Sequence, residues 1–389
     1  MSFGQIGSQH SASRWTLFAA VFVVGFLSAS SVGAEPVIVR FAEGAGTIPD
    51  GSDPTLSLST RTTVSVNNTS FNLSYGPGLS GNADAQAAFT RAAQQWADRL
   101  ADPVTVNLIV DYQSLGAGIL GQSGSAYYYG SYNAVRDLVA GGGEAGDTRE
   151  AALLPNLPTA SEFSAWLPSG YELDGNMILT SANYKALGGT HTDNDGSITF
   201  SSNYSWDFDR SDGITPGSFD FEGIAVHEMG HNLGFVSEVD YVDWDMERPG
   251  PAADDVEPRP LDLFRFRTID LGAGFNFDNT ARNLAPGPEG SHSFYYLTGP
   301  SGDNSVLMST GAYNGDGYQA SHWKDDLGLG IMDPTASSGE LLVIRENDMI
   351  ALDLIGWDVV PIPEPTTLSF LVLGACAALA ARRRRRRRK

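Results

Sequence analysis

Phe221-Glu222-Gly223-Ile224-Ala225-Val226-His227-Glu228-Met229-Gly230-His231-Asn232-Leu233-Gly234-Phe235 decides how the rest of the chain is read. Two histidines four residues apart on a helix project from one face about one turn apart, so both can grip the same ion. Neutral imidazole binds Zn²⁺ at about 2.0–2.1 Å, and a catalytic zinc site keeps one coordination position for water. Glu228, next to the first imidazole, is placed to take a proton from that water. Gly234 stands where such a helix stops and the chain turns sharply below it. The competing reading is an amphipathic helix whose two histidines are satisfied by their surroundings and bind nothing.

His227-Glu228-x-x-His231-x-x-Gly234 opens the metzincin pattern, whose usual third ligand lies three residues beyond the glycine. Ser237, a poor zinc ligand, holds that place here. Far downstream, Ala320-Ser321-His322-Trp323 is followed by Ile331-Met332-Asp333-Pro334. This arrangement resembles leishmanolysin, a metzincin in which an insertion separates the zinc helix from its third histidine and a methionine turn follows. The resemblance implies that His227, His231 and His322 hold Zn²⁺, that Met332 forms an apolar floor without coordinating, and that a closing helix comes after it. It also implies a zinc endopeptidase, with Glu228 as base toward water and then acid toward the leaving amine of a peptide or protein substrate. A Tyr two residues past the methionine serves the oxyanion in some metzincins; Pro334 stands there in this chain. From residue type alone the third ligand stays open. His292, with Met308 after it, rivals His322, and Glu238, Asp240 and Asp243 are near enough in sequence to reach the ion. Two other functions fit the same residues: a noncatalytic surface or matrix protein with a degenerate metalloprotease fold, and a zinc hydrolase acting on non-peptide substrates.

Upstream, Asn82 or Asp84 caps an expected helix with Phe89, Ala92, Ala93, Trp96 and Leu100 on one face, ending before Pro103. Residues 104–110 are apolar at every second position, as a half-buried strand requires. Residues 177–179 and 198–200 are further strands, and 134–140 a short helix. Residues 346–357 read as a terminal helix with Ile350, Leu354 and Trp357 on one face and Gly356 as its stop. The order of elements indicates an α+β domain: a small twisted mixed sheet, the active-site helix, a long loop-rich insertion at about 243–319, and a C-terminal helix. The metzincin resemblance implies the same layout. An extended substrate would pair with an exposed strand edge, expected at residues 198–202. Three turns rich in Asp and Gly, at 193–196, 207–213 and 314–317, are either Ca²⁺ loops or ordinary solvated turns; none has EF-hand spacing.

The two ends read as addresses. Arg14, the apolar run 15–27 and small residues up to Ala34 have the order of a signal peptide, so residues 1–34 are expected to be removed. The metalloprotease domain is expected over 35–362, with 35–80 either a removable pro-segment or its first part. Pro363-Glu364-Pro365, the short apolar stretch 366–381 and the basic run 382–389 resemble the PEP-CTERM sorting tail of Gram-negative bacteria, which an exosortase recognises and processes. The arginines would stay cytoplasmic and leave the body outside. The resemblance implies an exported protein of the cell envelope or extracellular space, held transiently in the inner membrane by the tail. The single cysteine of the 389 residues, Cys376, lies in that tail, so the exported body has no disulfide. With Arg14 and the eight basic residues at 382–389 set aside, residues 35–365 have 15 basic against 46 acidic residues, a charge of −31. Nucleic acid is therefore not an expected partner, because phosphate is bound by clustered Lys and Arg.

Overall fold

Among the described residues seven strands form the main mixed sheet: β1 (Val39–Glu43), β2 (Arg61–Val66), β3 (Thr69–Tyr75), β4 (Thr105–Gln113), β5 (Ile119–Ser125), β6 (Gly196–Ser201) and β7 (Thr335–Ala336). Their order is β7-β1-β5-β6-β4-β3-β2 in the computed structural model, which describes residues 39–43, 61–66, 68–144, 147–248, 250, 255–297 and 305–360. The expected leader, 1–34, and sorting tail, 363–389, lie outside the described residues. No helix among the described residues is long and apolar enough to cross a membrane.

The expected strand at 104–110 is β4, where Val106, Leu108 and Val110 are buried while Thr105 is exposed. It lies parallel to β3 on one side and to β6 on the other. β5 runs antiparallel to β6, and β1 runs parallel to β5 with an irregular register between Arg40 and Ala42. β7 closes the far side antiparallel to β1, pairing Val39 with Ala336. The expected exposed edge at 198–202 is corrected by this order. β6 is an inner strand with β4 and β5 on its two sides. Buried Ile198 and Phe200 alternate with half-buried neighbours in the same way on an inner strand as on an edge, so the pattern alone could not distinguish them.

Among the described residues seven helices follow in chain order: α1 (Ala83–Ala97), α2 (Tyr132–Gly141), α3 (Thr148–Leu153), α4 (Ser181–Ala186), α5 (Phe221–Leu233), α6 (Val239–Met246) and α7 (Glu346–Leu354). Asn82, rather than Asp84, caps α1: Ala85 N donates to Asn82 Oδ1 at 3.0 Å, a contact worth about 1 kcal/mol. The buried face of α1 meets both the sheet and α5. Phe89 packs edge-on against Phe200 of β6 at 5.2 Å and Phe221 of α5 at 5.6 Å, and Trp96 Nε1 donates to Val226 O at 2.9 Å. Every residue of α5 is buried, so this helix sits in the core and needs no polar face. The chain leaving α7 packs under the end of α5, where Trp357 Nε1 donates to Leu233 O at 2.7 Å.

The stretch 243–319, expected to be loop-rich, carries most of a second sheet. Its short strands run Ser305–Met308, His292–Tyr295, Arg265–Arg267 and Arg282–Asn283, with Ala165–Trp166 beyond them. Two buried arginines satisfy the irregular backbone around this sheet. Arg282 donates to the carbonyls of Leu263, Phe277 and Thr280, and Arg265 to those of Ser309 and Ala320. Buried carbonyls need such donors, and the guanidinium fork supplies several at once.

Candidate metal centre

α5 owes its bounds to two local signals. Gly223 N donates to the side chain of Asp220 at 2.9 Å, which caps the start. Gly234 ends the helix at φ +118°, a left-handed conformation that disfavours residues with a Cβ. Between them the helix presents His227 and His231 from one face, and the chain returns at His322 to meet both. The three Nε2 atoms form a triangle with sides of 3.2, 3.2 and 3.2 Å. Each Nδ1 faces a backbone carbonyl: His227 that of Ile331 at 2.7 Å, His231 that of Phe235 at 2.8 Å, and His322 that of Gln319 at 3.1 Å. A carbonyl only accepts, so each Nδ1 carries the proton and each Nε2 directs a lone pair toward the other two.

This donor set fits zinc. A tetrahedral ion with nitrogens at about 2.0–2.1 Å requires those nitrogens to lie about 3.3 Å apart, close to the observed triangle. Among the described residues this is the group of three or more His, Cys, Asp or Glu that converges tightly enough to hold a metal ion. All three imidazoles are fully buried. Burial first, and the neighbouring imidazoles second, push His227 and His322 well below the ordinary histidine range, so both are neutral at neutral pH, the form in which imidazole can bind a metal.

That depression has a measurable consequence in the metal-free protein. An unfolded chain protonates its histidines at about pH 6.5, whereas the folded site resists protonation. At these imidazoles the unfolded state therefore binds more protons below that pH, and their contribution to folding stability falls as the medium is acidified through it. Buried carboxyls such as Glu238 and Asp353, pushed up to about 8 by burial, act in the opposite sense over this range, so the imidazole contribution is read as a difference: the gap in urea midpoint between the metal-free protein and its His322→Ala variant is expected to hold between pH 8 and 7 and to shrink from pH 6.5 to 5.

The rival ligands are engaged elsewhere. His292 lies in the second sheet opposite Met308, and its Nδ1 is 3.0 Å from Arg265 Nη1. A guanidinium at that distance opposes a second cation. Ser237 donates from Oγ to Asp262 at 2.6 Å. Glu238 is paired with Arg259 at 3.3 Å, and Asp243 accepts from the amides of Tyr313 and Asn314 at 2.8 and 2.7 Å. Asp240 accepts from Ala320 N at 2.5 Å and Ser321 N at 2.9 Å, in the turn that delivers His322. The acidic turns likewise use carboxylates within the protein. Asp195 pairs with Lys185 at 2.6 Å, Asp207 accepts from Thr215 N at 2.8 Å and Asp316 from Thr310 N at 3.1 Å.

Glu228 is fully buried beside His227, and β5 passes directly over its carboxylate. A Cβ added at Gly121 would come within 2.8 Å of Glu228 Oε1 and 3.3 Å of Ile224 Cγ2, so glycine is what lets the strand lie this close. On the other side of the helix, a Cβ at Gly230 would run into Met332 Sδ. Met332 is itself buried and occupies the room that this glycine leaves. Both close approaches were invisible in the sequence, where neither glycine carries a turn signal. No family model, curated protein or solved structure matches the chain.

Proposed function

We propose that this protein is an exported zinc-dependent endopeptidase of metzincin type, with His227, His231 and His322 holding the metal and Glu228 as its general base. The observation that carries the reading is the triangle of Nε2 lone pairs with a buried carboxylate adjoining it in the chain. A purely structural zinc site has no use for such a base. Zn²⁺ bound there supplies a Lewis acid that polarises the scissile carbonyl and makes a water acidic.

The protein's own residues do the rest. The three carbonyls on Nδ1 keep each imidazole in one tautomer and orientation, so the ligands need no rearrangement to receive the ion. Glu228 takes a proton from the attacking water and returns it to the leaving amine nitrogen. β5 covers the Glu228 carboxylate at Gly121 and limits the bulk solvent that reaches it. In this reading the leader and the PEP-CTERM-like tail deliver the domain outside the inner membrane, where an exosortase-type enzyme processes the tail.

The test is cleavage of casein or gelatin by the purified protein without its leader, followed by chelator treatment and return of zinc. Cleavage that is lost with the chelator and restored by zinc supports the reading. Binding of one zinc ion with no cut in a broad peptide library would favour a noncatalytic surface or matrix protein, and turnover of esters or non-peptide amides alone would favour a different hydrolase.

A further inference from the structure

His322 reaches the centre on a segment with little regular structure. Between Met308 and Thr335 the chain has no helix and no strand beyond isolated bridges at Trp323 and at Gly311–Tyr318. Ordering such a backbone costs about 1–2 kcal/mol per residue, so its position must be enforced by specific contacts. Much of that enforcement converges on one side chain, Asp348, which is buried at 1% exposure in the first turn of α7.

Its carboxylate accepts four hydrogen bonds. Trp323 Nε1 donates to Oδ1 at 2.7 Å, Ile331 N to Oδ2 at 2.8 Å, Met332 N to Oδ1 at 3.4 Å, and Arg345 N to Oδ2 at 2.7 Å. The last belongs to the capping box of α7 and would be present in any well-capped helix. The other three do not serve α7. Ile331 carries the carbonyl that faces His227 Nδ1 at 2.7 Å. Trp323 directly follows His322, and its own amide donates to Met332 O at 2.9 Å. A Cβ at Gly330 would collide with the Asp348 carboxylate, so the turn is also shaped to admit it.

We propose that Asp348 is a positioning residue for the metal centre: by holding Ile331 and Trp323 together it sets the orientation of His227 and the location of His322 at the same time. This rests on the zinc reading above. The two imidazoles lie 95 residues apart in the chain and share this one anchor.

The experiment measures the zinc dissociation constant by competition with a chelator, and the absorption spectrum of the Co²⁺-substituted protein, in wild type, Asp348→Asn and Asp147→Ala. Asp147 caps α3, a helix that supplies no residue to the centre, by accepting from Arg149 N and Glu150 N at 2.7 and 2.9 Å. Asp348→Asn is expected to weaken zinc binding about 10–100-fold and to shift the cobalt bands. Asp147→Ala is expected to lower the melting temperature without moving either readout. Should Asp348→Asn fail to fold, Trp323→Phe keeps the ring and removes one of the four donors, and its expected effect is about 2–10-fold weaker zinc binding. Wild-type affinity and an unshifted cobalt spectrum in Asp348→Asn, or wild-type affinity in Trp323→Phe where that variant has to decide, overturn the proposal. If wild type and His322→Ala bind zinc equally, the metal reading itself fails, an outcome distinct from a failure confined to Asp348.

Discussion

Glu228→Gln is expected to lower kcat/KM for peptide cleavage by about 10²–10⁴-fold, the usual contribution of a positioned acid–base group, while the protein still binds one zinc ion. The substitution preserves shape and volume in a place where β5 at Gly121 leaves no slack, so folding and metal uptake should be little affected. What the amide lacks is the ability to accept a proton from water and pass it to the leaving nitrogen. Initial rates on a peptide cut by wild type, measured beside zinc content, separate the alternatives. A rate within tenfold of wild type would assign proton transfer to another group. Parallel loss of zinc and activity would make Glu228 a structural residue of the centre.

His322→Ala is expected to weaken zinc binding by more than about 100-fold, beyond the roughly 10–100-fold typical of residues that only support a ligand. His292→Ala should leave the affinity unchanged. The contrast follows from what each ring faces. His322 Nε2 lies 3.2 Å from the corresponding atoms of His227 and His231, whereas His292 Nδ1 takes a hydrogen bond from buried Arg265. Removing His292 deprives that guanidinium of a partner and is expected to reduce folding stability by about 1–3 kcal/mol. Zinc titration and urea unfolding of the two variants side by side test both halves. Equal zinc affinities would remove His322 from the centre.

The parts legible in the sequence were those with short-range causes. The spacing of His227 and His231, the stop at Gly234, the alternation in β4 and the face of α1 are set within a few residues of one another, and each appears in the structure where its pattern placed it. The pairing of His322 with the helix could be anticipated only by resemblance, because a long-range contact leaves no period in the chain. The place of β6 inside the sheet is illegible for the same reason: alternation reports one buried face and is silent about which strands lie alongside. The short strands within the loop-rich stretch 243–319 were less legible. Arg265 and Arg282 supply donors to irregular backbone, so a stretch rich in Pro, Gly and Asp could build a sheet that its composition did not suggest. Asp348 was visible only as a first-turn acid of a packing helix; its three other donors come from residues far away in sequence.

The pairing of Val39 with Ala336 has a consequence for when the molecule becomes complete. A sheet that joins Val39 to Ala336 cannot close until the ribosome has made all the residues between them, and contacts of such long sequence separation are slow to form. The third imidazole is also encoded late. A nascent or truncated chain ending before residue 322 possesses two ring donors but not the third corner, so the three-imidazole site would be withheld until synthesis has passed that residue.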